Sequence, residues 1–317
     1  MTPSLAGRFL PPEGWQSGSF HSRGHRLAYG YVVPDKAVSA VVILGGRSEF
    51  SEKYFETARD MLARGHAVFT MDWYGQGRSE RLPGFYERDW NMPFDGHVTD
   101  LVNFISEIIT PRLPPSAPLF MLAHSMGGHI GLRTIMDHPN LFSSAGFSAP
   151  MLGLKAVAFL PLWLSVRIAK LFPASSYIPG GGDWHKQERE QADIFSSDHD
   201  RNAVHNAWVI SNPDLRLGGA TFGWVAHALM SCQYLFASAR AESITLPCFF
   251  ASAGSEALVD NDAIERMARR IPSARYINIP GAHHEILMET DEIRQTFLNG
   301  FDTILTHQHH RINDGKI

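Results

Sequence analysis

Cysteine is almost absent from this chain: Cys232 and Cys248 are the two among 317 residues. So few exclude a disulfide scaffold, and they lack the paired spacing of a structural zinc site, so both are expected to be ordinary buried thiols. Long hydrophobic runs are missing too. The most apolar stretch, 156–166, is well short of the roughly 18 to 20 residues that span a bilayer, so a transmembrane helix is not expected. A strong excess of one charge is also lacking. The formal net charge is −4, and no basic stripe interleaved with aromatics is found, so nucleic acid is not an expected partner. The first residues hold no basic segment followed by an apolar run, which argues against a secretory signal and for a cytoplasmic protein. What is present is a globular composition, 44% hydrophobic and 19% charged. The length suits one large domain with an insertion, or two smaller ones.

Apolar runs alternate with amphipathic stretches. Strands are expected at 17–21, 27–33, 40–44, 66–73, from Leu119, and at 145–150, 246–253 and 274–279; the run at 40–44 is continuous, as in a buried parallel strand. Helical spacing occupies 51–64, 94–110, 126–136 and 262–270. This rhythm implies a mostly parallel sheet with helices on both faces. It stops near Met151 and resumes near Ile244, so residues 1–150 and 244–317 are expected to build the sheet domain and 151–243 a helical cap. Within that cap, 159–172 is apolar around most of its circumference. Its Leu160, Trp163, Leu164 and Ile168 are expected to line an acyl site or to face a membrane surface, with burial inside the cap as the alternative. Gly180-Gly181-Gly182 reads as a flexible joint, since no strand precedes it to make a phosphate cradle.

The chemistry centres on Ala123-His124-Ser125-Met126-Gly127, where an apolar strand runs into a small-residue turn. A serine hydroxyl is a poor nucleophile unless it is lifted clear of the backbone, set beside a base and faced by N–H groups that stabilise the developing oxyanion. A tight strand-to-helix turn does all three and needs small residues two before and two after the serine. The plainer reading is a helix N-cap serine. Two further features bear on the choice. The strand at 40–44 ends at Gly45-Gly46 and opens onto a helix N-terminus, where oxyanion donors belong. Downstream, Glu256 and Asp260 follow one expected strand, and His283 and His284 follow the next, so serine, acid and histidine each come just after a strand. Gly75-Gln76-Gly77 has Glu80 where a dinucleotide fingerprint needs its third glycine, which excludes that site. His307, His309 and His310 are expected beyond the last helix as a solvated tail without a metal partner.

Five stretches together resemble the capped α/β-hydrolases of the bacterial lysophospholipase and monoacylglycerol lipase type. They are Gly46-Arg47-Ser48-Glu49, Asp72-Trp73-Tyr74-Gly75-Gln76-Gly77-Arg78-Ser79, His124-Ser125-Met126-Gly127-Gly128, the run from Asn212 to Thr221 with Trp224, and Gly281-Ala282-His283-His284-Glu285. The likeness implies an α/β-hydrolase fold with Ser125 as nucleophile, His284 as base, and Met126 with Gly46 or Arg47 as backbone oxyanion donors. It implies Glu256 as the acid, with Asp260 the alternative. The chain departs from the pattern at Ala123, where relatives have glycine, at Glu256, where many have aspartate, and at Tyr74, where the lysophospholipase branch often has arginine. The implied activity is hydrolysis of a single acyl ester of a glycerol-based lipid through an acyl-enzyme, with no metal or organic cofactor and with transient contact at the inner membrane face through the cap. A general carboxylesterase or thioesterase on soluble substrates, and a non-catalytic binding protein, are the alternatives.

Overall fold

The computed structural model describes residues 2–185, 194–237 and 239–313, with side chains through residue 305. Near the middle of an eight-stranded sheet lies β3 (Ala40–Leu44). It is buried along its whole length, as are its neighbours β4 (Ala67–Met71) and β5 (Leu119–His124) and the next strand, β6 (Ser144–Ser148). Strands covered on both faces have no solvent side, which is why they read as unbroken apolar or small-residue runs. The antiparallel pair β1 (Gln16–Ser22) and β2 (His25–Val32) forms one edge. At the other end are β7 (Cys248–Ala253) and β8 (Ala274–Ile279). The strand order is β1-β2-β4-β3-β5-β6-β7-β8, parallel from β4 onward.

This order creates the site. From β3 the chain passes through α1 (Phe55–Ala63) to β4 on one side, then through α2 (Phe94–Phe104) to β5 on the other. Where the direction of strand addition reverses, a crevice opens beyond the carboxyl ends of β3 and β5. Leaving β5, the chain enters α3 (Ser125–Asp137) directly. The helix expected over 94–110 ends in two distorted turns, a π-helical one at Ile105–Ile109 and a 3-10 one at Thr110–Arg112. Pro111 has no N–H to continue the helical ladder, and its ring crowds the carbonyl one turn back.

Between β6 and β7 no described residue joins the sheet. The segment carries α4 (Leu162–Ala169), α5 (His199–Ser211) and α6 (Phe222–Ala237), with α4 packed on α6. Helix α4 is shorter than the expected 159–172, because Pro161 stands at its N-cap with an extended ψ of 135°. The triple glycine is not a loose joint. The Gly219 N–H donates to the Gly182 oxygen at 2.8 Å, and a Cβ on Gly218 would come within 2.5 Å of that same oxygen. It is the facing Gly218 and Gly219, more than the triple glycine itself, that permit this close approach of two backbone segments.

After β7, α7 (Asn261–Arg270) leads to β8, and α8 (Asp291–Asn313) closes the chain. The backbone of α8 runs through His307, His309 and His310, so these do not lie beyond the last helix; their side chains fall outside the described residues. Both cysteines are buried and free, and burial pushes the Cys232 thiol up to about 12. No described helix is long and apolar enough to cross a membrane.

At Gly127 a Cβ would sit 2.4 Å from the Leu44 oxygen and 2.5 Å from the Gly45 oxygen. Backbone at the end of a central strand cannot step aside. Gly127→Ala is therefore expected to cost about 3 kcal/mol as overpacking, read as a drop of roughly 5–10 °C in Tm. An unchanged melting curve would show that α3 approaches β3 less closely than described.

Candidate active site

Ser125 is the first residue of α3, and its φ of 50° is a left-handed backbone conformation that a residue with a Cβ rarely adopts. Such strain costs of order 1–3 kcal/mol and persists only where the surroundings impose it. Here β5 holds the approach and the Met151 N–H donates to the Ser125 oxygen at 2.9 Å on the far side. The turn lifts the hydroxyl toward His284, with Ser125 Oγ 3.0 Å from His284 Nε2. On the opposite edge of that imidazole, Nδ1 lies 2.8 Å from Glu256 Oε2. Ala123, at the glycine position, is fully buried between Leu44 and Phe147 on its neighbouring strands.

Glu256 is held by its own loop. Its Oε1 accepts the N–H groups of Ala257 and Leu258, each at 2.8 Å, and of Val259 at 3.3 Å. Burial alone would push this carboxyl up, but the bond to His284 and these backbone donors bring it below the ordinary range. A charged acid facing Nδ1 fixes the imidazole with Nε2 free to accept the serine proton. Asp260 is elsewhere. It caps α7, accepting the Asp262 N–H at 3.0 Å, and lies 3.7 Å from Arg266.

The oxyanion side rests on the loop after β3. A carboxylate oxygen of Glu49 takes up the Gly46 N–H, and Gln76 Nε2 donates to the Gly46 oxygen at 2.8 Å. Because a trans peptide sets its N–H opposite its carbonyl, holding the Gly46 oxygen aims the Arg47 N–H the other way. Of the two donors expected from this loop, Gly46 is thus already engaged and Arg47 is placed to serve. Met126 lies in the first turn of α3, where a helix has no carbonyl of its own to offer its N–H groups.

A cavity of about 520 Å³ opens over Ser125 and His284, with Arg47 and Met151 among its walls. Against this geometry the comparisons with known proteins can be set. A family model described as serine aminopeptidase, S33 matches residues 35–291. The chain belongs to that family. A relative from Escherichia coli strain K12 named lysophospholipase L2 is 30% identical over 271 residues, which span 82% of this chain and 78% of the relative. A monoacylglycerol lipase of Mycolicibacterium smegmatis is 26% identical over 287 residues, 85% of this chain and 89% of that one. Among solved structures, a soluble variant of the monoglyceride lipase of Saccharomyces cerevisiae, in complex with a substrate analog, aligns with a TM-score of 0.71 at 20% identity. It covers 96% of this chain and 94% of its own, and the shared fold is that of the α/β-hydrolases.

Leu160, Trp163, Leu164 and Ile168 do not come to the cavity of this S33 member. Trp163 is 54% exposed and Ile168 40%, while Ser165, Val166 and Ala169 form the buried face of α4. Leu160 instead borders a separate groove with Phe236 and Asp260. A helix apolar on most of its circumference turns only one side to its neighbour, and here the small residues took that side. The cavity wall from the insert is built by Ile178, Trp184, Leu217, Ala220 and Trp224.

Beneath the site lies a cluster that the sequence reading passed over. Lys53 Nζ is 2.6 Å from Glu49 Oε1 and 2.6 Å from Glu285 Oε1, and the Tyr54 hydroxyl donates to Glu49. His124 stands against it, with its ring centroid 4.8 Å from that of His284. The i, i+4 spacing of Glu49 and Lys53, directly after the glycine loop, was the available signal.

Three enclosed histidines make the fold sensitive to acid. Burial pushes the imidazoles of His97 and His124 down to about 4 and that of His129 down to about 3. In the unfolded chain they titrate near 6.5, so between about pH 6.5 and pH 4 the unfolded state binds protons that the native state does not. Stability therefore rises with pH through that window and is lost on acidification. The urea midpoint is expected to fall steadily from pH 7 to pH 4.5, and to fall less steeply in His129→Gln. Equal slopes in the two proteins would remove the histidines from the explanation.

Proposed function

We propose that this protein is a serine hydrolase that cleaves the ester of a monoacyl lipid, a lysophospholipid or a monoacylglycerol, through an acyl-enzyme. The observation that carries the reading is the unbroken line of hydrogen bonds from Ser125 through His284 to Glu256, opening into an apolar-walled cavity. Membership of the S33 family and relatives named lysophospholipase L2 and monoacylglycerol lipase support it. In this mechanism His284 takes the Ser125 proton as the hydroxyl attacks the ester carbonyl, and the N–H groups of Arg47 and Met126 receive the oxyanion. Collapse expels the alcohol, protonated by His284, and water then repeats the cycle on the acyl-enzyme. Glu256 holds the ring tautomer and favours imidazolium throughout.

In the same reading residues 151–243 are a cap over the cavity, and its outer surface contacts the lipid bilayer or micelle. Phe159, Trp163, Leu171 and Phe172 are all exposed, next to the cations Arg167 and Lys170. Apolar side chains with flanking cations on a short helix suit an interface rich in anionic headgroups.

Ser125→Ala is expected to abolish labelling by a fluorophosphonate and to leave at most a background of roughly 10³ to 10⁴ over water. Glu256→Gln should lower kcat on the order of 10⁴-fold, because an amide stabilises the wrong tautomer, whereas Asp260→Asn should change it little. The reverse ranking would make Asp260 the acid. Trp163→Ala should slow hydrolysis of vesicle or micellar substrate while p-nitrophenyl esters of every chain length, assayed as monomers, turn over as before. A loss that grows with chain length on monomeric esters would instead return Trp163 to the acyl site.

A further inference from the structure

Besides Phe50, which packs on His205, the loop after β3 is tied to the insert by the side chain of Arg47, a residue that lines the cavity. The Arg47 guanidinium grips Asp89 in a fork, Nε to Oδ2 at 2.7 Å and Nη2 to Oδ1 at 3.0 Å. Its Nη2 also donates to the backbone oxygens of Gly218 and Gly219, at 3.0 and 2.8 Å. The ring of Trp224 lies 5.1 Å beneath the guanidinium carbon. Asp89 is in the loop between β4 and α2, on the sheet side, and is 2% exposed; Gly218, Gly219 and Trp224 belong to the insert. One cation thus closes a three-way junction of oxyanion loop, sheet loop and insert.

The stretch that singled itself out in the sequence, from Asn212 to Thr221 with Trp224, finds its use here. Two consecutive carbonyls reach the same nitrogen only because the chain at Gly218 and Gly219 lies flat against Gly181 and Gly182, where a Cβ on either residue would collide. A fork to a carboxylate is rigid and directional in a way that a lysine ammonium is not. Its geometry is therefore passed to the Arg47 backbone.

We infer that Arg47 is a positioning residue that couples the oxyanion hole to the docked insert: Gln76 orients the Gly46–Arg47 peptide from the sheet side, the guanidinium seated on Gly218 and Gly219 anchors it from the insert side, and displacing the insert misplaces the N–H from the developing charge. This rests on the serine hydrolase reading above. A donor held only in the docked state stabilises the transition state more than the bound ester, so its loss appears in kcat.

The test uses the full-length protein and a short, water-soluble butyrate ester, which needs little of the cavity wall. Arg47→Lys and Asp89→Asn should each lower kcat roughly 10- to 100-fold with KM within about threefold, in line with loss or misplacement of one oxyanion donor, and should slow fluorophosphonate labelling to match. The double variant should be little worse than either single one, because both break the same junction. Gly218→Ala supplies the arm free of charge changes: its methyl group strikes Gly182 and Tyr177 and shifts the carbonyls from the insert side, and it too should lower kcat on butyrate. Active-site titration and melting curves restrict the comparison to folded protein. If all three folded variants keep kcat and labelling rate on butyrate and lose only KM for long-chain esters, Arg47 builds the wall and does not position the donor. If Ser125→Ala retains full turnover, the hydrolase reading falls, independently of how Arg47 behaves.

Discussion

Helix α3 lies so close to the end of β3 that a single methyl group on Gly127 would strike the carbonyl oxygens of Leu44 and Gly45, and the geometry around Ser125 follows from that approach. The same contact sets the start of α3 beside the Gly46-Arg47 loop. A Cβ on Gly46 would stand 3.1 Å from Ser125 Cβ and 3.2 Å from His124 Cδ2. A larger side chain on either glycine would push helix and loop apart and separate the N–H of Met126 from that of Arg47. The strained backbone of Ser125 is the other face of this crowding. A relaxed φ would let the chain leave β5 more gradually, and the first turn of α3 would no longer point its free N–H groups at the cavity.

Close approach needs a loop that does not yield, and buried charge supplies the stiffness. Glu49 and Lys53 are 4% and 1% exposed, and Glu285 joins them at 4%. Burial alone would push the Glu49 carboxyl up, but Lys53 and His124 hold it below its ordinary range, while the Tyr54 hydroxyl is driven well above its own. Removing such groups from water costs several kcal/mol per ion, so the cluster is weak evidence for stability. It is better understood as a constraint. Lys53 touches Glu49, the carboxylate that holds the Gly46 N–H, and Glu285, the residue that follows His284, so the distance between the Gly46-Arg47 loop and His284 is set by two short contacts in a rigid interior. Neighbouring support comes from Asp72, whose Oδ1 accepts both the N–H and the hydroxyl of Ser51 at 2.8 Å and whose Oδ2 accepts the Arg78 N–H at 2.8 Å.

Much of this was legible in the sequence. A buried parallel strand announces itself as an apolar run, and the alternation of such runs with helical spacing led to the sheet, while the order of serine, acid and histidine after successive strands led to the residues that the fold brings together. Position after the same strand does not separate Glu256 from Asp260, and it was the resemblance that favoured Glu256; three dimensions separate them by giving one to the imidazole and the other to a helix N-terminus. The buried cluster was hidden for a different reason. The i, i+4 spacing of Glu49 and Lys53 signals a pair but not its burial, and only the packing of Glu285 and His124 against them reveals that. The apolar stretch around Trp163 failed in the opposite direction. Periodicity reports that a face is apolar, not what will cover it, and α4 covers its small residues and leaves the large ones to the outside.

That outcome bears on where selectivity resides. The sheet side of the cavity holds Ser125 and His284 with a loop on each flank, an arrangement shared by proteins of many activities, so it carries little information about the acyl group or the alcohol. The insert side holds Ile178, Trp184, Leu217, Ala220 and Trp224, and these differ from the sheet residues in how they are anchored. The Trp184 backbone N–H donates to the Glu87 carboxylate at 2.6 Å, the Gly218 N–H donates to the Glu87 backbone oxygen at 2.9 Å, and Trp224 packs beneath Arg47. Trp184 and Gly218 are thus supported by the loop between β4 and α2, and Trp224 is linked to it through Arg47 and Asp89. Because one flank of the insert leans on that loop while the exposed apolar residues of α4 are elsewhere on its surface, the cavity wall is anchored to the sheet side and not to the outer face of α4. Changes on the outer face of α4 can therefore be made without reshaping the cavity.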